Sequence, residues 1–310
     1  MKTKVLIIGG SRFLGLSIAE ALIQAGKYDI YTMNRGTRPS VDGVEHIICD
    51  IKDRVAFKKV LQQQYWDIII DTILTDEDLE FAIMQLKDNV GHFIHTSSLG
   101  VYGEAKTIPA VESQPLKEYE GEYIVFNYKI KQDQVITRAF QECNFPGTIL
   151  RMSYIYGAGD KLLDGWGGRS DEFFQMLRDN KKIIIPNDGR ALLHPGHVKD
   201  LGRAFLHVAK HPESIGQIYN IGGSHAIMTK DYVEMIAAAM QVKADIEYAP
   251  IAEVVKLYPK ITNERGMKFA CQHMCASITK AERELDWRPE IPLESGIREN
   301  IEWMKQKKII

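Results

Sequence analysis

Lys4-Val5-Leu6-Ile7-Ile8-Gly9-Gly10-Ser11-Arg12-Phe13-Leu14-Gly15 passes from an apolar run of strand length, through a glycine-rich turn, into an apolar-periodic helix. A strand, a tight turn and a helix N-terminus together make a cradle for a diphosphate, because the turn N–H groups and the helix dipole both favour negative charge there. Gly9 permits the turn and Gly15 permits close packing of helix on strand. The usual middle glycine is replaced by Arg12. Ser11, Arg12, Phe13 and Leu14 complete the turn.

Working outward, Leu14, Ile18, Ala21, Leu22 and Ala25 form one helical face, and Gly26 stands where a helix C-cap belongs. A second strand, Ile30–Met33, runs into Asn34-Arg35-Gly36. A site for NAD usually places an acid about 20 residues past the fingerprint to hold the ribose 2′-hydroxyl. Arg35 stands there instead, and a guanidinium suits a 2′-phosphate, so the reading is NADP, with NAD as the alternative. Arg12 is expected to stack on the adenine or add charge. A third strand, Glu45–Ile48, leads to Asp50-Ile51 at the adenine position, and a fourth, Trp66–Asp71, ends at Thr72-Ile73.

The 310 residues suffice for a nucleotide domain and a smaller lobe, and an apolar content of 45% supports a substantial core. A net charge of −2 gives no broad attraction to nucleic acid or membranes. No apolar stretch reaches the length of a membrane span and no signal-peptide core is found near the start, so a cytoplasmic location is expected. Cys49, Cys143, Cys271 and Cys275 read as reduced thiols. Neither Cys271-x-x-x-Cys275 around His273 nor His194-x-x-His197, which is interrupted by Pro-Gly, fits a metal pattern, so no metal is expected.

Later segments are His92-Phe93-Ile94-His95-Thr96-Ser97-Ser98-Leu99-Gly100-Val101-Tyr102-Gly103, then Leu150-Arg151-Met152-Ser153-Tyr154-Ile155-Tyr156-Gly157, His197-Val198-Lys199-Asp200-Leu201 and Lys280–Pro289. In this order and spacing, the chain resembles the NAD(P)-dependent epimerase/dehydratase family, the extended branch of the short-chain dehydrogenases/reductases. Its first turn and Asn34-Arg35-Gly36 are similar to those of atypical members, among them relatives of the chloroplast stem-loop-binding proteins. The resemblance implies an α/β fold: a doubly wound parallel (Rossmann) sheet with a smaller C-terminal α+β substrate lobe. It also implies Thr72, Ile73, Thr96, Ser153, Tyr154 and Ile155 as further cofactor-binding positions.

In that family a Ser or Thr, a Tyr and a Lys four residues after the Tyr form the active site, and the phenolate moves a proton while hydride passes to or from the nicotinamide. Ser98 matches the Ser or Thr. Lys131, followed by Gln132-Asp133, matches the lysine, both as a catalytic and as a cofactor-binding residue. Asn127 then stands where the Tyr belongs and cannot ionise. Two substitutes are considered: Tyr128, three residues from Lys131, and Tyr123, one turn before Asn127.

The substrate lobe departs too. Leu193 occupies a place where nucleotide-sugar enzymes of the family commonly carry an arginine. Residues 1–150 are read as the NAD(P)-binding domain and 151–310 as the substrate lobe, with segments returning to the sheet. Ile183–Ile185 and Gln217–Ile221 read as late strands, and the acids of Thr75-Asp76-Glu77-Asp78 as a solvated helix start. The expected activity is epimerase, dehydratase or reductase chemistry on a polar carbonyl or hydroxyl compound, possibly a sugar derivative. The alternative is a non-catalytic nicotinamide-binding sensor or scaffold, or an RNA-associated protein. A homodimer is expected through the helix around Tyr123–Phe140, because Phe126, Ile130, Val135 and Ile136 exceed one core stripe.

Overall fold

The computed structural model describes residues 2–38, 41–103, 105–116, 127–262 and 264–310. The first half runs β1 (Thr3–Ile8), α1 (Phe13–Ala25), β2 (Tyr28–Asn34), β3 (Glu45–Ile48), α2 (Arg54–Gln62), β4 (Trp66–Asp71), α3 (Asp76–Leu86), β5 (Val90–Ser98), α4 (Asn127–Cys143) and β6 (Gly147–Met152). There follow β7 (Tyr154–Tyr156), α5 (Asp171–Arg178), β8 (Ile183–Pro186), β9 (Leu192–Leu193), β10 (Pro195–His197), α6 (Val198–Lys210) and β11 (Ile218–Ile221). The chain continues through β12 (Ile227–Met228), α7 (Thr229–Met240), β13 (Ile246–Ala249), α8 (Ile251–Leu257), α9 (Glu264–Ala270), α10 (Thr279–Glu284) and α11 (Leu293–Gln306).

Seven strands form one parallel sheet in the order β11-β6-β5-β4-β1-β2-β3. Its strands are continuous apolar runs because helices cover both faces. Val5, Ile7, Ile30, Ile68 and Ile70 meet Ile18 and Leu22 of α1 and Leu201 and Phe205 of α6. The alternate residues, Leu6, Ile8, Met33, Ile69 and Phe93, meet Phe57 of α2, Leu79 of α3 and Ile136 of α4. Each such side chain contributes about 1.5–3 kcal/mol by leaving water. The chain winds outward in both directions from β1 and β4, so the carboxyl ends of those two strands open a crevice.

Helix ends follow the residues placed there. α1 stops at Gly26, whose φ of 66° is left-handed. α3 starts at a capping box, with the Thr75 and Asp78 side chains each bonded to the other's backbone N–H. Asp78 departs from the expected solvated start: it is fully buried, with Arg54 Nη2 2.6 Å from its carboxylate. Burial opposes its ionisation, but bonds from Thr75, Arg54 and Lys52 outweigh this and hold its carboxyl below the usual range.

The later chain divides its strands. The Gln217–Ile221 run supplies β11 at the edge of the main sheet, whereas Ile183–Ile185 lies in β8, which forms a separate two-stranded sheet with β13. A separate core of Trp166, Phe173, Phe174, Tyr232, Ile236 and Ile297 lies beneath these short sheets. Among the described residues, no helix is long and apolar enough to cross a membrane.

Candidate active site

The turn after β1 is shaped by steric exclusion. Gly9 has φ 97°, and a Cβ there would lie 2.4 Å from Thr72 Oγ1 and 2.7 Å from Ile73 Cγ2. A Cβ on Gly15 would lie 2.2 Å from the Gly9 carbonyl oxygen, so only glycine lets α1 approach the strand this closely. Leu14 is buried in the core. Arg12 is the N-cap residue but its side chain makes no cap bond, and the first turn carries no acid. The cradle therefore fits a bound diphosphate: it has backbone room, open N–H groups and no competing anion in the turn. Phe13 adopts φ 47°, unusual for a bulky residue, and lies against Gly159. Arg12 extends toward Asp160, 3.7 Å away, and Arg169 approaches the same carboxylate at 3.5 Å.

At the end of β2, the Asn34 Oδ1 accepts the Gly36 N–H at 2.8 Å, which fixes the turn, and Arg35 is exposed to solvent. The Asp50 carboxylate accepts the Lys52 N–H, and Ile51 is half-buried. Ile48 and Ile73 are 71% and 49% exposed, leaving apolar surface near the carboxyl ends of β3 and β4. Thr72 Oγ1 donates to the Ile8 carbonyl at 3.0 Å.

On α4 the two lysines face opposite ways. Lys131 is exposed. Lys129 instead points to the sheet, where its Nζ donates to the Thr96 carbonyl at 2.8 Å. At about 100° per residue the two lysines lie about 200° apart, so only one can face inward. Lys129 shares its face with Gln132, Asp133 and Ile136, all buried. Asp133 accepts from Arg151 Nε at 2.9 Å, a pair excluded from water. That i, i+4 Lys–Asp spacing, with Arg151 at the following strand end, was the available signal. Burial pushes the Lys129 amine below its ordinary pKa, opposed by Asp71 and Asp133.

The residue four before Lys129 is Val125, which, like Tyr123, lies outside the described residues. Asn127 begins α4 and is half-buried. Tyr128 is 43% exposed, and Lys129 Nζ lies 5.5 Å from its ring centroid. Burial raises its phenol pKa, which keeps it neutral.

Beneath Lys129 lies a pair that the sequence reading missed. Asp71 is fully buried; one oxygen accepts the Ile73 and Leu74 N–H groups and the other meets His95 Nδ1 at 2.7 Å. Asp71 thus fixes the turn after β4 while adding negative potential near the Lys129 amine. Thr96 serves this frame as well, its hydroxyl donating to the Asp71 carbonyl. Ser98 Oγ accepts the Gly100 N–H at 3.1 Å, which leaves its own proton for donation.

Ser98 opens onto a cavity of about 210 Å³. Ser153 and Tyr154 after β6 line it, together with Leu163, Asp164, His194 and Tyr232 from the later chain. Phe269, Gln272 and Met274 line it from the α9 region. Ile155 packs against the core flanked by α1 and α6. Asp164 accepts N–H bonds from Trp166, Gly168 and Ser170, and burial still holds its carboxyl above the usual range. His194 bonds the Gly223 carbonyl through Nε2 at 2.9 Å and accepts the Ala276 N–H through Nδ1 at 3.3 Å, so neither nitrogen is open to a metal. Among the described residues, no group of three metal-ligating side chains is present.

The profile of the NAD dependent epimerase/dehydratase family matches residues 5–222. The chloroplast stem-loop binding protein of 41 kDa b from Arabidopsis thaliana is 26% identical over 96% of this chain and 78% of its own. The dTDP-L-rhamnose 4-epimerase of Burkholderia thailandensis is 22% identical over 98% of this chain and 95% of its own. The fold of DesIV, a dTDP-glucose 4,6-dehydratase of Streptomyces venezuelae solved with NAD and TYD bound, superposes with TM-score 0.78 at 18% identity, covering 99% of this chain and 98% of that one. With a glycine cradle at the carboxyl end of β1, a half-buried lysine on α4 and a match across most of its length, this chain belongs to the NAD-dependent epimerase/dehydratase family.

Proposed function

We propose that the protein is a nicotinamide-dependent enzyme of the epimerase, dehydratase or reductase type that acts on a polar carbonyl or hydroxyl compound. The carrying observation is the Lys129 amine, held on the Thr96 carbonyl near the carboxyl end of β5, the same strand end as Ser98. Residues 1–150 would hold the dinucleotide and 151–310 the substrate. Gly9, Ser11 and Gly15 would admit the diphosphate, Ile48, Ile51 and Ile73 the adenine, and Arg35 a 2′-phosphate. When bound, the nicotinamide supplies the hydride acceptor or donor. Ser98 would donate a hydrogen bond to the substrate oxygen, and Lys129, held at the same strand end, would add positive charge that favours an oxyanion. We assign to Lys129 the role expected of Lys131. Tyr123 remains a candidate for the proton transfer, and the raised phenol pKa counts against Tyr128. The second reading, a non-catalytic nicotinamide binder, is favoured by one observation: neither Val125 nor Asn127 ionises.

We also propose a cytoplasmic homodimer in which α4 and α3 face a second copy. Ile130, Val135 and Ile136, the residues that suggested the dimer, are buried in the chain's own core, and Phe126 lies outside the described residues. Support comes instead from Met84, 63% exposed, in a groove it shares with Ile83 and Ala139.

Calorimetric titration with NADPH and NADH tests the cofactor. NADPH is expected to bind more tightly, and Arg35→Ala to remove about 1.5–3 kcal/mol from NADPH binding while sparing NADH. Equal or tighter NADH binding overturns the NADP preference, and heat from neither overturns the nicotinamide reading.

A further inference from the structure

The cavity at Ser98 has a composition that constrains its ligand. Its volume of about 210 Å³ is below the roughly 300–1,000 Å³ typical of sites for drug-sized ligands. Leu99, Leu163, Leu193, Phe269 and Met274 give it a largely apolar wall. Among the described residues lining it, none is lysine or arginine.

Its titratable groups point the same way. His194 is neutral, because burial depresses its pKa and the Nδ1 lone pair is already used by the Ala276 N–H. Tyr154 and Tyr232 are held as neutral phenols by burial. Asp164 is the remaining ionisable group and is either neutral or negative. Arg169 is engaged outside the lining, donating to the Lys161 carbonyl, pairing with Asp160 and stacking 5.5 Å from the Tyr154 ring. No cation therefore stands in the lining: Arg169 acts on Tyr154, Tyr232 and Asp164 from behind it while paired with Asp160, and Lys129 is held on the Thr96 carbonyl. A diphosphate placed there would lose its hydration without a lysine or arginine to bond directly in return.

The polar groups that lack partners suit hydroxyls. Ser153 Oγ and Gln272 Oε1 are both buried and unbonded, and Ser98 keeps a proton to donate. They stand on different segments of the lining, after β6, beyond α9 and at the end of β5. A ring with an apolar edge against the leucines and an oxygen toward the Ser98 hydroxyl suits this lining, to which Ser153 and Gln272 add polar side chains.

We propose that this cavity takes an uncharged, compact hydroxy-carbonyl compound about the size of one sugar ring, and that the substrate carries no nucleotide diphosphate. This rests on the nicotinamide reading above.

The test is direct binding to the whole protein, with and without saturating NADPH. The probes are L-rhamnose, L-fucose and cyclohexane-1,2-diol on one side, and UDP, UDP-glucose and dTDP-glucose on the other. At least one uncharged ring is expected to bind the NADPH-loaded protein at least about tenfold more tightly than any nucleotide probe. Gln272→Ala, on a partly exposed segment, should weaken that ring about tenfold without changing NADPH affinity. Leu193→Arg should raise UDP affinity at least about tenfold by adding the missing cation. A parent protein that binds UDP-glucose or dTDP-glucose as tightly as the best ring overturns the proposal, as does a parent that binds none of the rings. Absence of NADPH binding is read separately and defeats the nicotinamide reading alone.

Discussion

The two ends of the candidate site are built by opposite means. The dinucleotide end is made of backbone: Gly9 and Gly15 exclude side chains, and α1 presents open N–H groups. The substrate end is made of side chains from several separate segments, among them Ser98, Tyr154, Asp164, His194 and Gln272. A backbone site tolerates little change because the constraint is steric and local. A side-chain cavity is redefined by one substitution, as Leu193 illustrates. The fold therefore keeps a common cradle while the chemistry beside it varies.

Lys129 carries the charge-stabilising role in the proposed function, and replacing it has the largest expected effect. Lys129→Met should cost about 10²–10⁴-fold in turnover, the range for removal of a positioned acid–base or charge-stabilising group. Lys131→Met, on the opposite helix face, should change turnover by less than about threefold. Steady-state kinetics on whichever substrate the binding panel identifies decides the matter. A larger loss for Lys131→Met would restore the lysine favoured by the sequence and break the assignment made from geometry.

Gly15→Ala probes the backbone end. The added Cβ would meet the Gly9 carbonyl at 2.2 Å, and a backbone atom cannot yield as a side-chain tip does. Denaturant unfolding should show a loss of about 4 kcal/mol, and NADPH affinity should fall with it. Gly26→Ala is the control. Its Cβ would meet nothing, so only the left-handed φ of 66° opposes it, at about 1 kcal/mol. Similar losses in the two variants would show that close helix–strand packing is not what Gly15 provides.

The same contrast explains what the sequence could reveal. The strand–turn–helix start, the strand ends and α1 were legible because apolar periodicity and glycine punctuation act locally. The inward lysine was missed, because choosing Lys129 over Lys131 requires the phase of α4; the Lys129–Asp133 spacing hints at it, but Asp133's partner Arg151 lies across the fold. Asp78 was misjudged for a like reason: its partners Arg54 and Lys52 belong to a different helix and loop. The Asp71–His95 pair left no spacing signal, since it joins neighbouring strands in register. The cavity lining is assembled from residues 98 to 274, and no short window contains it.

Acid stability separates the two regions by a smaller effect. The sheet carries His92 and the cavity wall carries His194, both buried. Burial lowers the His92 pKa from 6.5 to about 4. Thr148 Oγ1 donates its hydrogen bond to the Ser214 carbonyl at 2.7 Å, so His92 donates Nε2–H to Thr148 and needs no charge to be satisfied. Between pH 6.5 and about 4 the unfolded ring binds a proton and the folded ring does not, so stability falls as pH falls across that window. The slope is about 1.4 kcal/mol per pH unit, giving a total near 3 kcal/mol. His92→Gln should flatten this part of the pH–stability curve measured by urea unfolding, whatever it costs at pH 7. His194→Gln should leave the His92 component intact and remove only the share arising at the cavity wall. If the slope persists in His92→Gln and vanishes in His194→Gln, the acid-sensitive element is the substrate cavity and not the sheet that supports the cradle.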